Sequence, residues 1–248
     1  MAERVEIGEA AEEARVPGAA AKASALGEVA EEAWVLGGDA GRSVLGIAGP
    51  PGAGKSTLAR ALVAELGRRY GPDSAAYLPL DGFHLSNAQL ERLGLTTRKG
   101  SPPSFDVWGY AALLRRVVGE PGREIYVPDY DRTLHEPVAA RHRVAPGARL
   151  VITEGNYLAC DEPGWRDARR LMGGLWYLEA PDEVRHTRLL ERQRAGGRSD
   201  GQARAWLEDN DEPNGELVKR SRDRCDRVLG AMVLDPDAIG LDMTKSQV

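Results

Sequence analysis

The chain has 248 residues, 42% of them hydrophobic and 29% charged, a size and balance that suit one α/β domain with a sizeable core. Its net charge is −5, and residues 1–40 hold nine acids against three bases, so the uniformly basic domain of a nucleic-acid binder is excluded. No run of about 18 apolar residues occurs, the opening "MAERVEIGEAAEEARV" lacks a signal-peptide layout, and Cys160 and Cys225 form no metal or disulfide pattern, so a cytoplasmic protein with no membrane contact is expected.

Residues 1–21, rich in Ala and Glu around a Pro-Gly break, read as a mobile acidic tail. One folded domain is expected over 22–230 and a loose tail over 231–248. From 22 to 36, Leu26, Val29, Ala30, Ala33 and Trp34 recur at helical spacing, which predicts a leading amphipathic helix. "SVLGIAG" then predicts a buried strand and "STLARALVAELGRRY" a helix stopped near Gly71-Pro72. "AAYLPL" is the next strand, followed by an inserted helix at "LSNAQLERLG" and another at "DVWGYAALLRRVVG". "REIYVPDYD" and "HRVAPG" predict a strand or hairpin pair, and "RLVITEG" and "GGLWYLEA" two apolar strands. "DEVRHTRLLERQRAG" predicts an arginine-rich helix, residues 200–221 a further helix, and "CDRVLGA" the last strand. This alternation points to a mainly parallel sheet covered on both faces, a three-layer α/β/α domain.

Between the first strand and its helix, Gly49, Pro50, Pro51, Gly52, Ala53, Gly54, Lys55 and Ser56 fit the pattern G-x-x-x-x-G-K-[ST], followed by Thr57. Glycines let backbone N–H groups turn toward phosphate oxygens, and the helix that follows offers its unpaired N–H groups to the same anion. Lys55 supplies a point charge at the terminal phosphates and Ser56 a hydroxyl for Mg²⁺, so a P-loop that binds nucleotide is expected.

Two acids decide what the nucleotide does. Asp81 follows "AAYLPL" and Glu154 follows "RLVIT", each at a strand's carboxyl end, where ligands of open parallel sheets gather. One can take a proton from an attacking hydroxyl while both help hold Mg²⁺. Arg185, Arg188 and Arg192 fall near one face of the arginine-rich helix, with Arg194 and Arg198 beside the Gly196-Gly197 pair, as in a mobile arginine-bearing lid. Arg188 and Arg192 are expected to act on the migrating phosphoryl group, and other arginines of the helix to pair with Glu183, Glu191 and Asp200 in solvent. In "NDEPNGEL", either Asn210 or Asp211 caps the next helix, or Asn214 lies near the nucleotide base.

In this order, "GIAGPPGAGKST", "LPLDGFH", "RKGSPPSFD", "YVPDYDRTLHEP" and "VITEGNY" resemble the uridine kinase, phosphoribulokinase and bacterial pantothenate kinase group of P-loop kinases over residues 43–230. The resemblance implies an ATP-dependent kinase in which Asp81 is the general base and Ser56, Asp81 and Glu154 organise Mg²⁺. It implies acceptor ligands at Tyr130 and His135, beside Phe83 and His84, and extends the acceptor set to Arg98, Lys99, Arg132, Asn156 and Tyr157. Arg132 replaces the aromatic residue of uridine kinases, and "RKGSPPSFD" is closer to pantothenate kinases, although the Tyr-Ser-His pattern of those enzymes is absent. The expected partner is a small-molecule hydroxyl acceptor of nucleoside or sugar type, with a homodimer left open. A pantothenate-type kinase is the alternative within the class, and a regulatory NTPase the alternative outside it, though the N-K-x-D motif of switch GTPases is missing.

Overall fold

The computed structural model describes residues 19–38 and 41–230, so most of the expected acidic tail and all of 231–248 lie outside the described residues. Helix α1 (Ala19–Leu36) precedes β1 (Ser43–Ala48), α2 (Lys55–Tyr70) and β2 (Ala75–Pro79). A 3₁₀ turn at Leu80–Phe83 leads to α3 (Asn87–Leu93), α4 (Val107–Gly119), β3 (Ile125–Asp131) and β4 (Glu136–Val144). Then follow β5 (Leu150–Glu154), α5 (Pro163–Arg169), β6 (Gly174–Glu179), α6 (Asp182–Ala195) and α7 (Asp200–Trp206). A π-helical turn at Leu207–Asp211, α8 (Glu212–Lys219) and β7 (Arg227–Gly230) complete the described chain.

Strands β2, β5, β1, β6 and β7 lie side by side in that order, every pair parallel. Ile47 of β1 and Pro79 of β2 both pair with Glu154 of β5, so the three strands end level and deliver the P-loop, Asp81 and Glu154 to one edge. Alternate side chains of β1 go to opposite faces: Leu45 and Ile47 join Leu58, Leu62 and Leu66 of α2, whereas Val44 joins Tyr110 and Leu114 of α4 and Trp165 of α5. Leu58, Leu62 and Leu66 are each 0% exposed, and burial of a leucine contributes about 1.5–3 kcal/mol. Helix α1 docks on the same face as α2, where Trp34 stacks on Tyr70 with ring centroids 4.0 Å apart and Arg149 lies over its ring at 4.5 Å. Among the described residues no helix is long and apolar enough to cross a membrane.

Strands β3 and β4 form a separate antiparallel hairpin. Strand β4 starts at Glu136, well before the expected "HRVAPG", because its outer half is held by pairing to β3 while Ala139, Ala140 and Arg141 face solvent and give no apolar alternation. Asp131 closes the tip: its Oδ1 accepts the N–H groups of Thr133 and Leu134, both at 2.9 Å. A Cβ on Gly82 would overlap the Pro128 carbonyl, so the turn carrying Asp81 runs directly against the hairpin. The helix expected over 200–221 is interrupted: Pro213 has no N–H for the Asp209 carbonyl, and the chain passes through the π turn before resuming as α8. The short α5, opened by Pro163, was not foreseen.

Candidate active site

Gly49, Gly52 and Gly54 have φ of 150°, 79° and 102°, values that favour glycine. Space demands it as well, since a Cβ on Gly49 would overlap the Leu178 carbonyl and one on Gly52 would lie 2.8 Å from the Arg185 carbonyl oxygen. The loop therefore nests against β6 and α6 and opens into the first turn of α2, whose N–H groups face an incoming anion. Lys55 is 7% exposed, and its Nζ donates to the Pro50 carbonyl (3.0 Å) and to Asn156 Oδ1 (2.7 Å). Burial brings its ammonium down to about 8. Phosphate in the cradle would give this charge the anionic partner that its neutral hydrogen-bond acceptors do not.

Glu154 is 4% exposed at the end of β5, and its Oε1 accepts from Ser56 Oγ (2.9 Å) and the Tyr77 hydroxyl (2.8 Å). Burial, and then the nearby Asp81, push its carboxyl up. Asp81 differs. Burial also favours its neutral form, but His84, Arg132, Arg192 and Lys55 outweigh that and hold it below the usual carboxylate range. Its side chain is 36% exposed, within reach of a ligand, and Arg132 Nη2 lies 3.5 Å from its Oδ2. One acid is thus kept charged and open while its neighbour is sealed into a hydrogen-bond network. Among the described residues no cluster of three or more His, Cys, Asp or Glu could hold a metal by itself. Ser56, Asp81 and Glu154 instead offer the few hard oxygens suited to Mg²⁺ that keeps water and phosphate ligands.

On the acceptor side, His84 donates from Nδ1 to the Asp81 carbonyl (2.8 Å) and packs between Phe105 and Tyr130, with centroids 4.1 and 4.9 Å away. Lys99 lies over the Tyr130 ring at 5.1 Å and donates to Asn87 Oδ1 (2.5 Å) and the His135 carbonyl (2.7 Å). It is thus the backbone of His135, at φ 54°, that joins this cluster, while its side chain is exposed. Arg98 is exposed on the same loop as Lys99, and Phe83 packs edge-on against the core residue Tyr110 at 5.3 Å. Two expected acceptor ligands are committed elsewhere. Asn156 turns to Lys55, and Tyr157, 0% exposed beside Phe105 and Trp165, donates its hydroxyl to the Gly100 carbonyl (2.5 Å). Tyr157 therefore fixes the Lys99–Gly100 loop from beneath.

Arg188 lies against the P-loop. Its Nη1 donates to the carbonyls of Gly52 (3.2 Å) and Ala53 (3.3 Å), so it grips the P-loop backbone. Arg185, 2% exposed, does the same at the Pro51 carbonyl (2.9 Å) and holds Asp182 Oδ1 with Nε and Nη2 (3.2 and 2.7 Å). It is no solvated surface residue. The charge of Arg192, one turn beyond Arg188, is among those that hold the Asp81 carboxyl down. Sequence reasoning missed Tyr77 and the contact of Asn210, whose Nδ2 donates to the Lys99 carbonyl (3.0 Å). Asp211 makes no side-chain cap to α8, and Asn214 is buried and donates to Asn210 Oδ1 (3.4 Å).

A phosphate cradle at the edge of a parallel sheet, two acids beside it and an arginine helix over it define a P-loop kinase, the class that moves a nucleotide's terminal phosphoryl group to an alcohol. The chain is 34% identical over 156 residues to a Schizosaccharomyces pombe protein named "Putative uridine kinase", and 37% identical over 175 residues to YggC of Escherichia coli, named only as uncharacterized. These matches take in 61% and 69% of the chain and 66% and 70% of the relatives, so the chain spans about two thirds of their length. A solved structure titled "putative fructose transport system kinase", from Silicibacter sp. TM1040, is 33% identical, with a TM-score of 0.75 over 82% of this chain and 98% of that one. No protein-family model matches the chain. The chain belongs to the uridine kinase-like P-loop kinases.

Proposed function

We propose that the protein transfers the γ-phosphoryl group of ATP to a hydroxyl of a nucleoside-like or sugar-like metabolite, with Asp81 as general base, within one kinase domain over residues 22–230. The observation that carries this is the split pair at the sheet edge: Asp81 open to a ligand beside Arg132, Glu154 buried on Ser56. The P-loop N–H groups and Lys55 hold the terminal phosphates, with Arg185 and Arg188 fixing the loop from outside. Asp81 accepts the hydroxyl proton as the new O–P bond forms and the bond to the β-phosphate oxygen breaks, which releases ADP. Mg²⁺, held through Ser56, Asp81 and Glu154, would neutralise charge on the phosphate oxygens. Similarity to proteins named for uridine and for fructose transport supports a nucleoside or sugar skeleton without choosing between them.

Purified protein with MgATP and a panel of hydroxyl metabolites, read by ADP release, tests this. Asp81→Asn keeps the shape but removes the proton acceptor, and should cost about 100-fold or more in transfer while nucleotide still binds. Glu154→Gln should raise the Mg²⁺ requirement more than it slows transfer at saturating Mg²⁺. If both variants transfer phosphate normally, the constellation is not the active site and the reading falls.

A further inference from the structure

At the hairpin tip the acids are already engaged by backbone N–H groups and by Arg141. Asp131 is spent on the N–H groups of Thr133 and Leu134 and on Arg141, and Glu136 on the Asn87 N–H (3.0 and 3.2 Å to its two oxygens). Arg132 stands between them with a side chain 60% exposed, and its carboxylate contact is with Asp81, a single one at 3.5 Å rather than a fork. Lys99 has given two of its three N–H bonds to Asn87 and His135, neither of them charged partners. Tyr130 and His84 lie between the two cations: Lys99 lies over the Tyr130 ring, Arg132 opens the turn just after β3, and the charges of both bear on His84. In this structure Arg132 stands beside Oδ2 of Asp81, so the carboxylate that is open to a ligand is shared with a guanidinium. A neutral acceptor would have to compete with a guanidinium for the base.

We propose that the physiological acceptor carries, besides the hydroxyl that is phosphorylated, an anionic group, phosphate or carboxylate, which Arg132 binds with Lys99 beside it. The anion draws Arg132 away from Asp81 and fixes the acceptor at a second point, so the base meets the hydroxyl as the charged group is held. A neutral nucleoside or free sugar lacks that handle. This inference rests on the phosphotransferase reading and narrows its substrate class.

The test uses matched probes: glycerol, glycerol 3-phosphate and glycerate, and ribose, ribose 5-phosphate and ribonate. Each is assayed with MgATP by ADP release, and each is titrated calorimetrically into the full-length protein saturated with MgADP. Wild-type protein should prefer an anionic member over its neutral partner by about 100-fold in kcat/KM and bind it more tightly, the phosphate and carboxylate arms telling which anion is used. Arg132→Ala should abolish that preference with the melting temperature retained, since the side chain is exposed, and Arg132→Lys should restore part of it, keeping the charge but losing the fork. Equal treatment of neutral and anionic probes by the wild type, absence of binding by every anionic probe, or a preference unchanged in Arg132→Ala would each overturn the proposal. Anionic probes that bind through Arg132 but are never phosphorylated would sink the kinase reading and leave the anion site standing. Transfer to neutral acceptors through Asp81 without charge preference would do the reverse.

Discussion

Arg188 and Arg192 sit one turn apart on α6 and have different surroundings. Arg188 holds the carbonyls of Gly52 and Ala53, whereas the charge of Arg192 is among those that hold the Asp81 carboxyl down. Arg188→Ala should therefore raise KM for ATP roughly tenfold with a smaller change in kcat, and Arg192→Ala should lower kcat with KM for ATP nearly kept. Steady-state kinetics on the two variants separates the roles, and identical KM and kcat changes would show that the arginines act as one unit. At this scale Lys55, Ser56, Asp81 and Glu154 were legible because a P-loop motif and two strand ends fix their backbone positions. Arg185 on Pro51, Tyr77 on Glu154 and Asn210 on Lys99 were not, since these contacts join residues 134, 77 and 111 apart in sequence and no local pattern encodes them.

At the start of α6, one carboxylate ties helix, P-loop and α8 together. Asp182 accepts from Lys219 of α8 (2.8 Å) and from Arg185, and these two partners, Lys219 first, hold its carboxyl down at about 2. A folded-state value below the ordinary 3.8 means that its contribution to stability is fully present above about pH 4 and is lost as pH falls toward about 2. Its side chain is 48% exposed, so screening limits the contribution to less than about 1 kcal/mol. Asp182→Asn should thus melt a few degrees below wild type at pH 7, with the gap closing as pH falls from about 4 to about 2. Thermal melts across that range check it, and a gap that widens in acid would contradict the assignment. Among the elements, the sheet strands and long helices were readable from apolar period and turn residues. The outer half of β4 and the π turn were not, because pairing at an exposed hairpin and the missing N–H of Pro213 decide them, and neither leaves an apolar rhythm.

Across the whole molecule, the two edges of the sheet divide the work. Trp34 meets the end of α2 at Tyr70 and Arg149 just before β5, both at the edge opposite the P-loop, Asp81 and Glu154. Trp34→Ala should lower stability by about 1–2 kcal/mol and leave MgADP affinity unchanged. Denaturant melts and nucleotide titration on one preparation measure both, and a matched loss of nucleotide affinity would show that the edges are coupled. The strand order has a further consequence for how the protein is made. Strand β1 lies between β5 and β6, and β2 pairs with β5, so the first two strands of this sheet to be made, β1 and β2, are not neighbours. A growing chain on the ribosome carries its P-loop strand unpaired until Leu150–Glu154 emerges, and completes the sheet's outer edge only with Arg227–Gly230. The edge that carries the P-loop, Asp81 and Glu154 is therefore assembled only after residue 154 has been made.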